Sequence, residues 1–469
     1  YSPGVLAVLC LQPHHNSLTF ATGMSHPANP FAALTTTPAS ALRPFGVIHS
    51  LTGLLARAVG LNNTVLGGRC DLQTIDGHLV PAEIVGYQAD TALLMPFGSL
   101  EGIGPGARVF INEQQPALAV GPGLLGRVIN ALGQPIDRRG ALPASATRLS
   151  LKGKPPAAHL RTGLGPKLDT GIRTINTFLT LCQGQRVGIF SGSGVGKSTL
   201  LGMLARQAAA DVNVIALVGE RGREVREFIE DTLQAEGLAR SVVVVATSDE
   251  QPLLRRQAAY TAMTVAEYFR QQGKQVMLMM DSVTRFALAQ REIGLSAGEP
   301  PTTRGYTPSV FAEIPRLLER AGPGVAGEGS ITGIFTVLVE GSDMEEPVAD
   351  AVRGTIDGHF VLTRALAERG HFPAIDVLRS VSRALPQCNT AAENTTLTEA
   401  RQLLSTYTNM EELIRLGAYK AGSDAKVDRA IALYPALEKF LQQGEGSPPT
   451  PLTAGYAQLA QLLNAPPTP

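Results

Sequence analysis

Apolar residues change their spacing as the chain proceeds. From about Phe45 to Asn112, short β-prone runs such as LVPAEIVGY and ARVFIN are separated by Gly, Asn-Asn, Asp-Gly and Gly-Pro-Gly turn signals. That close rhythm predicts a small β-barrel over residues 45–115. From Arg186, strand-length apolar runs (RVGIF, NVIALV, SVVVVA, QVMLMM, ITGIFTVLV) alternate with helix-length segments, the pattern of a parallel sheet with helices on both faces. Beyond about Thr390 the β runs stop, and EARQLLSTYTNMEELIRLG and AKVDRAIALYPALEKFLQQG carry apolar residues three and four apart. Residues 391–469 are therefore expected to form a helical C-terminal domain with a frayed, Pro-rich end.

Two stretches follow neither rhythm. Residues 1–44 mix Pro, Thr, Ala, Ser and His and read as a loose arm with no assigned chemistry. Within it, the apolar run from Gly4 to Leu11 lacks a preceding basic segment, so no signal peptide is expected. The segment from Val120 to Gly140 and the Pro-rich KGKPPAAHLRTGLGPK after it read as a connector. The α/β core is accordingly set at residues 116–390.

Composition narrows the class. Forty Lys and Arg balance forty Asp and Glu in 469 residues, which lacks the basic footprint of a nucleic-acid binder. Cys10, Cys70, Cys182 and Cys388 show no CxxC spacing, and the histidines form no HExxH cluster. These features point to reduced thiols and no structural transition metal. No apolar run approaches the ~20 residues of a membrane span.

The strongest chemical signal is Ser191-Gly192-Ser193-Gly194-Val195-Gly196-Lys197-Ser198, followed by Thr199. It follows the strand RVGIF directly and opens the helix-like STLLGMLARQAA. Glycines at this strand-to-helix turn let backbone N–H groups close around phosphate oxygens, and the helix dipole adds positive potential. Lys197 then supplies a cation for β and γ phosphates, and Ser198 a ligand for Mg²⁺. Ser191 stands where the usual motif has Gly, a place a small side chain can fill. Asp281 ends the run QVMLMMD and reads either as the acid that holds Mg²⁺ opposite Ser198 or as a strand cap. Glu220, at the end of NVIALVGE, reads either as the base for the attacking water or as a solvated first-turn acid.

Longer strings bear on these alternatives: GERGREV, VATSDEQPLLRRQAAYTAMTVAEYF, MDSVTRFALAQREIGLSAGEPPTTRGYTPSVF and DGHFVLTRALAERGHFPAIDVLRSVSR. With GSGVGKS and the C-terminal GAYKAGSD, they resemble the flagellar and injectisome export ATPases, relatives of the rotary ATP synthase catalytic subunits. The resemblance runs from about Val120 to Gln443 and is nearest to the flagellar form. It implies a RecA-like P-loop NTPase core between a small barrel and a helical domain, with Mg²⁺ as cofactor and ATP as substrate. It further implies that Glu220 activates water, that Arg221 sits near the γ-phosphate, and that Asp281 serves Mg²⁺. Arg383 falls where such rings place an arginine finger for the neighbouring subunit, and Phe372 where they place an aromatic against adenine. A surface charge and a core aromatic are the alternatives for these two.

The same resemblance implies a cytoplasmic homohexamer, peripheral at the membrane at most. Its partners would be a central stalk protein facing Leu413 and Ile414, a stator-like regulator, the export gate and chaperone–substrate complexes. Injectisome export is the alternative within the class. Outside it stand a non-catalytic nucleotide-binding ring subunit, against which Glu220 argues, and an RNA translocase, against which the neutral charge argues.

Overall fold

A computed structural model describes residues 45–61, 64–112, 116–339 and 344–465. The loose-arm reading of residues 1–44, including the signal-peptide reading, lies outside them.

Strands β1 (Phe45–Thr52), β2 (Leu55–Val59), β3 (Arg69–Gln73), β4 (Leu79–Gln88), β5 (Thr91–Pro96) and β6 (Arg108–Ile111) form a closed barrel in the order β1-β2-β5-β4-β3-β6. Alternate residues point inward, so Ile48, Leu72, Ile84, Leu94 and Val109 make its core. Closure leaves no free sheet edge.

The connector expected from Val120 to Gly140 is in part a strand. After β7 (Ala117–Ala119), β8 (Val128–Asn130) joins the main sheet in parallel beside the later strand Ser241–Thr247, with Val243 opposite Val128. Turn residues crowd around three strand positions there, so a periodicity reading misses them. β9 (Arg148–Ser150) pairs with β7, and β10 (Lys167–Leu168) pairs with β11 (Leu181–Cys182) around helix α1 (Arg173–Phe178).

The core then alternates strand and helix: β12 (Arg186–Ser191), α2 (Lys197–Gln207), β13 (Val212–Glu220), α3 (Gly222–Glu227), α4 (Gln234–Ala239), β14 (Ser241–Thr247), α5 (Pro252–Gln271), β15 (Gln275–Asp281), α6 (Val283–Ala297), α7 (Pro308–Leu318), β16 (Gly322–Pro323), β17 (Ser330–Leu338), α8 (Pro347–Thr355), β18 (Gly358–Leu362), α9 (Arg364–Glu368) and β19 (Val381–Ser382). The sheet order is β19-β18-β12-β17-β15-β13-β14-β8, with β16 beside β17.

Because side chains alternate across a strand, neighbours in β13 enter different cores. Val214, Ala216 and Val218 pack with α5, α6, α7 and α8. Ile215 and Leu217 share the opposite core with α2 and with the C-terminal helices α10 (Ala391–Arg415), α11 (Ala425–Leu441) and α12 (Leu452–Leu463), through Leu403, Leu437 and Leu459. Strands buried on both faces read as unbroken apolar runs, which is how the sequence presents them.

Ion pairs sit within this apolar frame. Arg320 is 2% exposed, and its Nε and Nη2 donate to both carboxylate oxygens of Glu267 on α5 at 2.8 and 2.7 Å. It also donates to Leu151 O at 2.8 Å and to Thr264 Oγ1 at 3.1 Å. A buried pair is tolerable only when satisfied in this way; removing one partner strands the other charge. Arg320→Ala should lower the unfolding free energy by about 3–5 kcal/mol, seen as a fall in the urea midpoint. An unchanged midpoint would show that Glu267 finds another partner.

Candidate active site

β12 ends at Ser191, and residues 192–196 turn into α2, whose first residue is Lys197. Gly194 (φ 76°) and Gly196 (φ 86°) adopt left-handed backbone that other residues rarely take. Gly196 has a second reason to lack a side chain: a Cβ there would lie 3.3 Å from the ring of Phe372. Phe372, 41% exposed, thus covers the loop, and its carbonyl accepts from Gln443 N at 2.8 Å. Ser198 is exposed and Thr199 half-buried on the first turn of α2. Val195 is buried beneath the loop, while Gly192 is half-buried and Ser193 exposed at its surface. Ser191 is fully buried, and its Oγ has no hydrogen-bond partner.

Asp281 ends β15, which is not the strand beside β12, because β17 lies between them. Lys197 Nζ nevertheless reaches Asp281 Oδ1 in a close ion pair. Thr336 of the intervening β17 donates its hydroxyl to the same oxygen at 2.7 Å. Lys197 Nζ also lies 3.7 Å from Glu220 Oε1. Glu220 ends β13, where the register with β14 shifts between Val218 and Glu220 around Gly219 (φ 71°). Such a bulge re-aims the side chain that follows it.

Lys197, Asp281 and Glu220 therefore form one cluster at the carboxyl ends of the strands, where open α/β sheets bind ligands. Glu220 is 8% exposed, and its Oε1 accepts no hydrogen bond. Burial, followed by the Asp281 charge, raises its pKa to about 7 against the opposing pull of Lys197 and Arg285. A carboxylate near neutrality, with an oxygen that accepts no hydrogen bond, is suited to accept a proton from water.

Two side chains here escape a reading by motif. Arg285 is in the first turn of α6, its Nε is buried without a hydrogen bond, and Gly219 lets it approach, since a Cβ there would sit 3.0 Å from Arg285 Cβ. A cation in a first helical turn opposes the helix dipole, a sequence signal that marks it as unusual. Thr336 carries no such signal, being one of three hydroxyl residues in β17, with Ser330 and Thr332.

Arg221 and Arg383 do not join the cluster. Arg221 is 76% exposed and pairs with Glu224 at 3.4 Å. Arg383 is exposed just beyond β19, with its N–H on Asp357 O at 2.9 Å, at the start of β18. Ser191 stands level with Leu362 at the far end of that strand, about 17 Å from Asp357 at ~3.3 Å per residue. Arg383 and the phosphate loop therefore occupy opposite ends of the sheet.

If Glu220 must be ionised to act, kcat/KM for nucleotide hydrolysis should rise as pH increases through about 7 and fall on the acid side. A pH–rate profile that is level across that region would remove Glu220 from this role.

Three family descriptions match the chain: the ATP synthase alpha/beta β-barrel domain over residues 45–110, the nucleotide-binding domain of the same family over 171–382, and the type III secretion ATPase C-terminal domain over 390–461. The flagellum-specific ATP synthase of Caulobacter vibrioides is 53% identical over 90% of this chain and 96% of its own length. That of Bacillus subtilis is 52% identical over 86% and 92%, and the type 3 secretion system ATPase of Xanthomonas euvesicatoria 48% over 90% and 94%. The assembled ATPase EscN of the enteropathogenic E. coli type III secretion system superposes with a TM-score of 0.83 at 42% identity, over 89% of this chain and all of EscN. EscN solved with its central stalk EscO gives 0.82 over the same share of each chain. With a phosphate loop, a paired lysine and two buried carboxylates on one sheet edge, and relatives of this likeness over nearly its whole length, the chain belongs to the flagellar and type III secretion ATPase family.

Proposed function

We propose that the chain hydrolyses Mg²⁺·ATP to ADP and phosphate as one subunit of a homohexameric ring that energises type III protein export, chiefly of flagellar components. The observation that carries this reading is Glu220: a buried carboxylate whose Oε1 accepts no hydrogen bond and lies 3.7 Å from the phosphate-loop lysine in an ion pair. Nucleotide-holding ring subunits carry an uncharged residue at that place.

Residues 192–196 offer backbone N–H groups to phosphate oxygens, and Lys197 lies between two carboxylates from which it can turn to the β and γ phosphates. The exposed hydroxyl of Ser198 and the buried carboxylate of Asp281 are hard oxygen donors fit for Mg²⁺. When bound, the ion neutralises charge that develops on the phosphates. Glu220 accepts the proton of the attacking water as the bond to the ADP oxygen breaks. Phe372 offers its exposed ring to adenine.

Arg383 cannot serve its own subunit's loop from the far end of the sheet, but its exposed position suits insertion into a neighbour's site, where a guanidinium fork stabilises dispersed phosphoryl charge. Arg221 is a surface residue that would have to leave Glu224 to approach the γ-phosphate. The tip between α10 and α11 presents Leu413 and Leu416, 45% and 70% exposed, as the face for a central stalk. The stator-like regulator, export gate and chaperone–substrate complexes are its further partners. The ring works in the cytoplasm, peripheral at the membrane at most; among the described residues no helix is long and apolar enough to cross one. Injectisome export is the second reading, supported by the 48% identity to the Xanthomonas ATPase, beside 53% and 52% to the flagellar relatives that support the first.

Glu220→Gln should retain ATP binding and lose on the order of 10²–10⁴ in turnover, whereas Lys197→Ala should weaken binding itself; steady-state hydrolysis and nucleotide titration separate the two. Wild-type turnover in the glutamine variant would exclude hydrolysis through Glu220. Arg383→Ala should cost on the order of 10³–10⁵ in turnover, and wild-type activity per subunit should climb with protein concentration as rings assemble. Constant specific activity from a species sized as a monomer would exclude a finger acting in trans.

A further inference from the structure

The edge strand that leads to Arg383 is too short to hold its own register. β19 has two residues and two cross-strand pairs, Ser382 with Gly358 and Val381 with His359. A ladder of that length opens easily. Burial alternates along this stretch: Ser380, Ser382 and Ala384 are buried, whereas Val381 and Arg383 are exposed. A slip of one residue would exchange the two faces and turn Arg383 into the core. The apolar pattern does not prevent it. Val381, the one large apolar side chain of the five, faces outward at 44% exposure, so hydrophobic burial by itself favours the slipped register at that position.

Hydrogen bonds supply the missing specification, and Gln185 is at their centre. It is fully buried just before β12, and its side-chain amide is used completely. Oε1 accepts from Cys182 N at 3.0 Å, and Nε2 donates to Ser382 Oγ at 3.0 Å and to Asp357 O at 3.2 Å. Ser382 Oγ in turn donates to Thr180 O at 2.8 Å. Asp357 O is also the acceptor for Arg383 N at 2.9 Å. The peptide of Arg383 and the side chain of Gln185 therefore share one carbonyl.

That carbonyl is itself fixed. The Asp357 carboxylate accepts from Arg186 N and Nε, both at 3.1 Å, and Asp357 N donates to Arg186 O at 2.7 Å, which ties it to the start of β12. Gly358 lets the groups converge, since a Cβ there would lie 2.7 Å from Val381 O and 3.5 Å from Gln185 Nε2. Two residues before Ser382, Ser380 Oγ accepts from Val361 N of β18 at 2.9 Å and donates to Asp376 O at 2.6 Å. In a slipped register Val381 or Arg383 would face Gln185, and buried polar groups would lose their partners.

We propose that Gln185 and Ser382 are positioning residues for hydrolysis, because they fix the register of β19 that directs the Arg383 guanidinium outward to the site of the next subunit. Neither is placed to touch nucleotide in its own subunit: Gln185 precedes β12, and the phosphate loop follows the other end of that strand. The effect on turnover rests on the finger acting in trans, as proposed above; the anchoring of the strand does not.

The test compares Ser382→Ala, Gln185→Met and Arg383→Ala in the full chain. Ser382→Ala and Gln185→Met break the same anchor from its two sides, so a folding failure of one leaves the other to decide. Backbone hydrogen exchange read by mass spectrometry should run about tenfold faster across residues 378–385 in both, with the phosphate-loop peptide as protected as in wild type. Their kcat should fall about 10²-fold, the cost of displacing a reacting group by about 1 Å, while KM for ATP stays within about twofold. Mixed rings give a readout that a merely weakened fold does not. Ser382→Ala subunits keep Glu220, and Glu220→Gln subunits keep an anchored finger, so mixing the two should raise turnover well above either alone. Mixing Ser382→Ala with Arg383→Ala should not. Unchanged exchange, or wild-type kcat in both anchor variants, overturns the positioning role. Lost turnover that Glu220→Gln subunits do not restore overturns it too, because the fault then lies in the subunit's own site or fold. Wild-type turnover in Arg383→Ala overturns the finger and the catalytic half of the proposal with it, while the exchange data still decide whether Gln185 and Ser382 anchor the strand.

Discussion

Two buried carboxylates share one lysine, and the rest of the site is arranged around that fact. Asp281 and Glu220 are 4% and 8% exposed, and Lys197 lies between them. At 3.7 Å and an effective dielectric of about 20, a charge pair is worth about 4 kcal/mol. That attraction offsets the cost of holding two like charges out of water. It cannot offset it fully at Glu220, whose pKa is raised to about 7. The residual imbalance makes Glu220 a better base than an ordinary carboxylate and leaves Lys197 poised between internal partners and any anion that enters the loop.

The cluster exists only because of the order of the sheet. Lys197 follows β12, Asp281 ends β15 and Glu220 ends β13, and β17 intervenes between the first two. Thr336 on β17 bridges that interval with a hydroxyl to Asp281. The cores on the two faces keep these strand ends in line, one built with α5 to α8 and the other with α2 and the C-terminal helices. The second core carries the site's connection outward. Gln443, just after α11, holds the carbonyl of Phe372 over Gly196, and Arg173 of α1 donates to Phe440 O and Gln442 O, both at 2.6 Å. A change at the phosphate loop is thereby in direct mechanical contact with the root of the helical domain. On the opposite side, Glu83 of the barrel pairs with Arg256 of α5 at 2.7 Å, both buried, which ties the barrel to the same core.

The parts of the fold that are legible in the sequence are those governed by local rules. β12 to β15 and β17 announce themselves as apolar runs because both their faces are buried, and the glycines at 192, 194 and 196 announce a loop because their backbone must bend where a helix begins. The short strands escape: β8 is three residues among turn signals, and β19 is two. Neither has enough positions to display a period, and each is a strand only because a neighbour offers its edge. Arg285 and Thr336 escape for a related reason, since their importance comes from which carboxylate they face.

By itself, then, the sequence determined which residues could bear the chemistry: a lysine at a glycine turn, acids at two strand ends, an arginine beyond the sheet. Residue type and local periodicity are written one position at a time. Only the tertiary structure decided which of them meet. It brought Glu220 and Asp281 to a single lysine across an intervening strand, and it sent Arg383 to the other end of the sheet. Those outcomes depend on the order in which strands pair and on the direction each runs, and strand pairing is fixed by the burial of both faces at once, a property of the whole packed sheet.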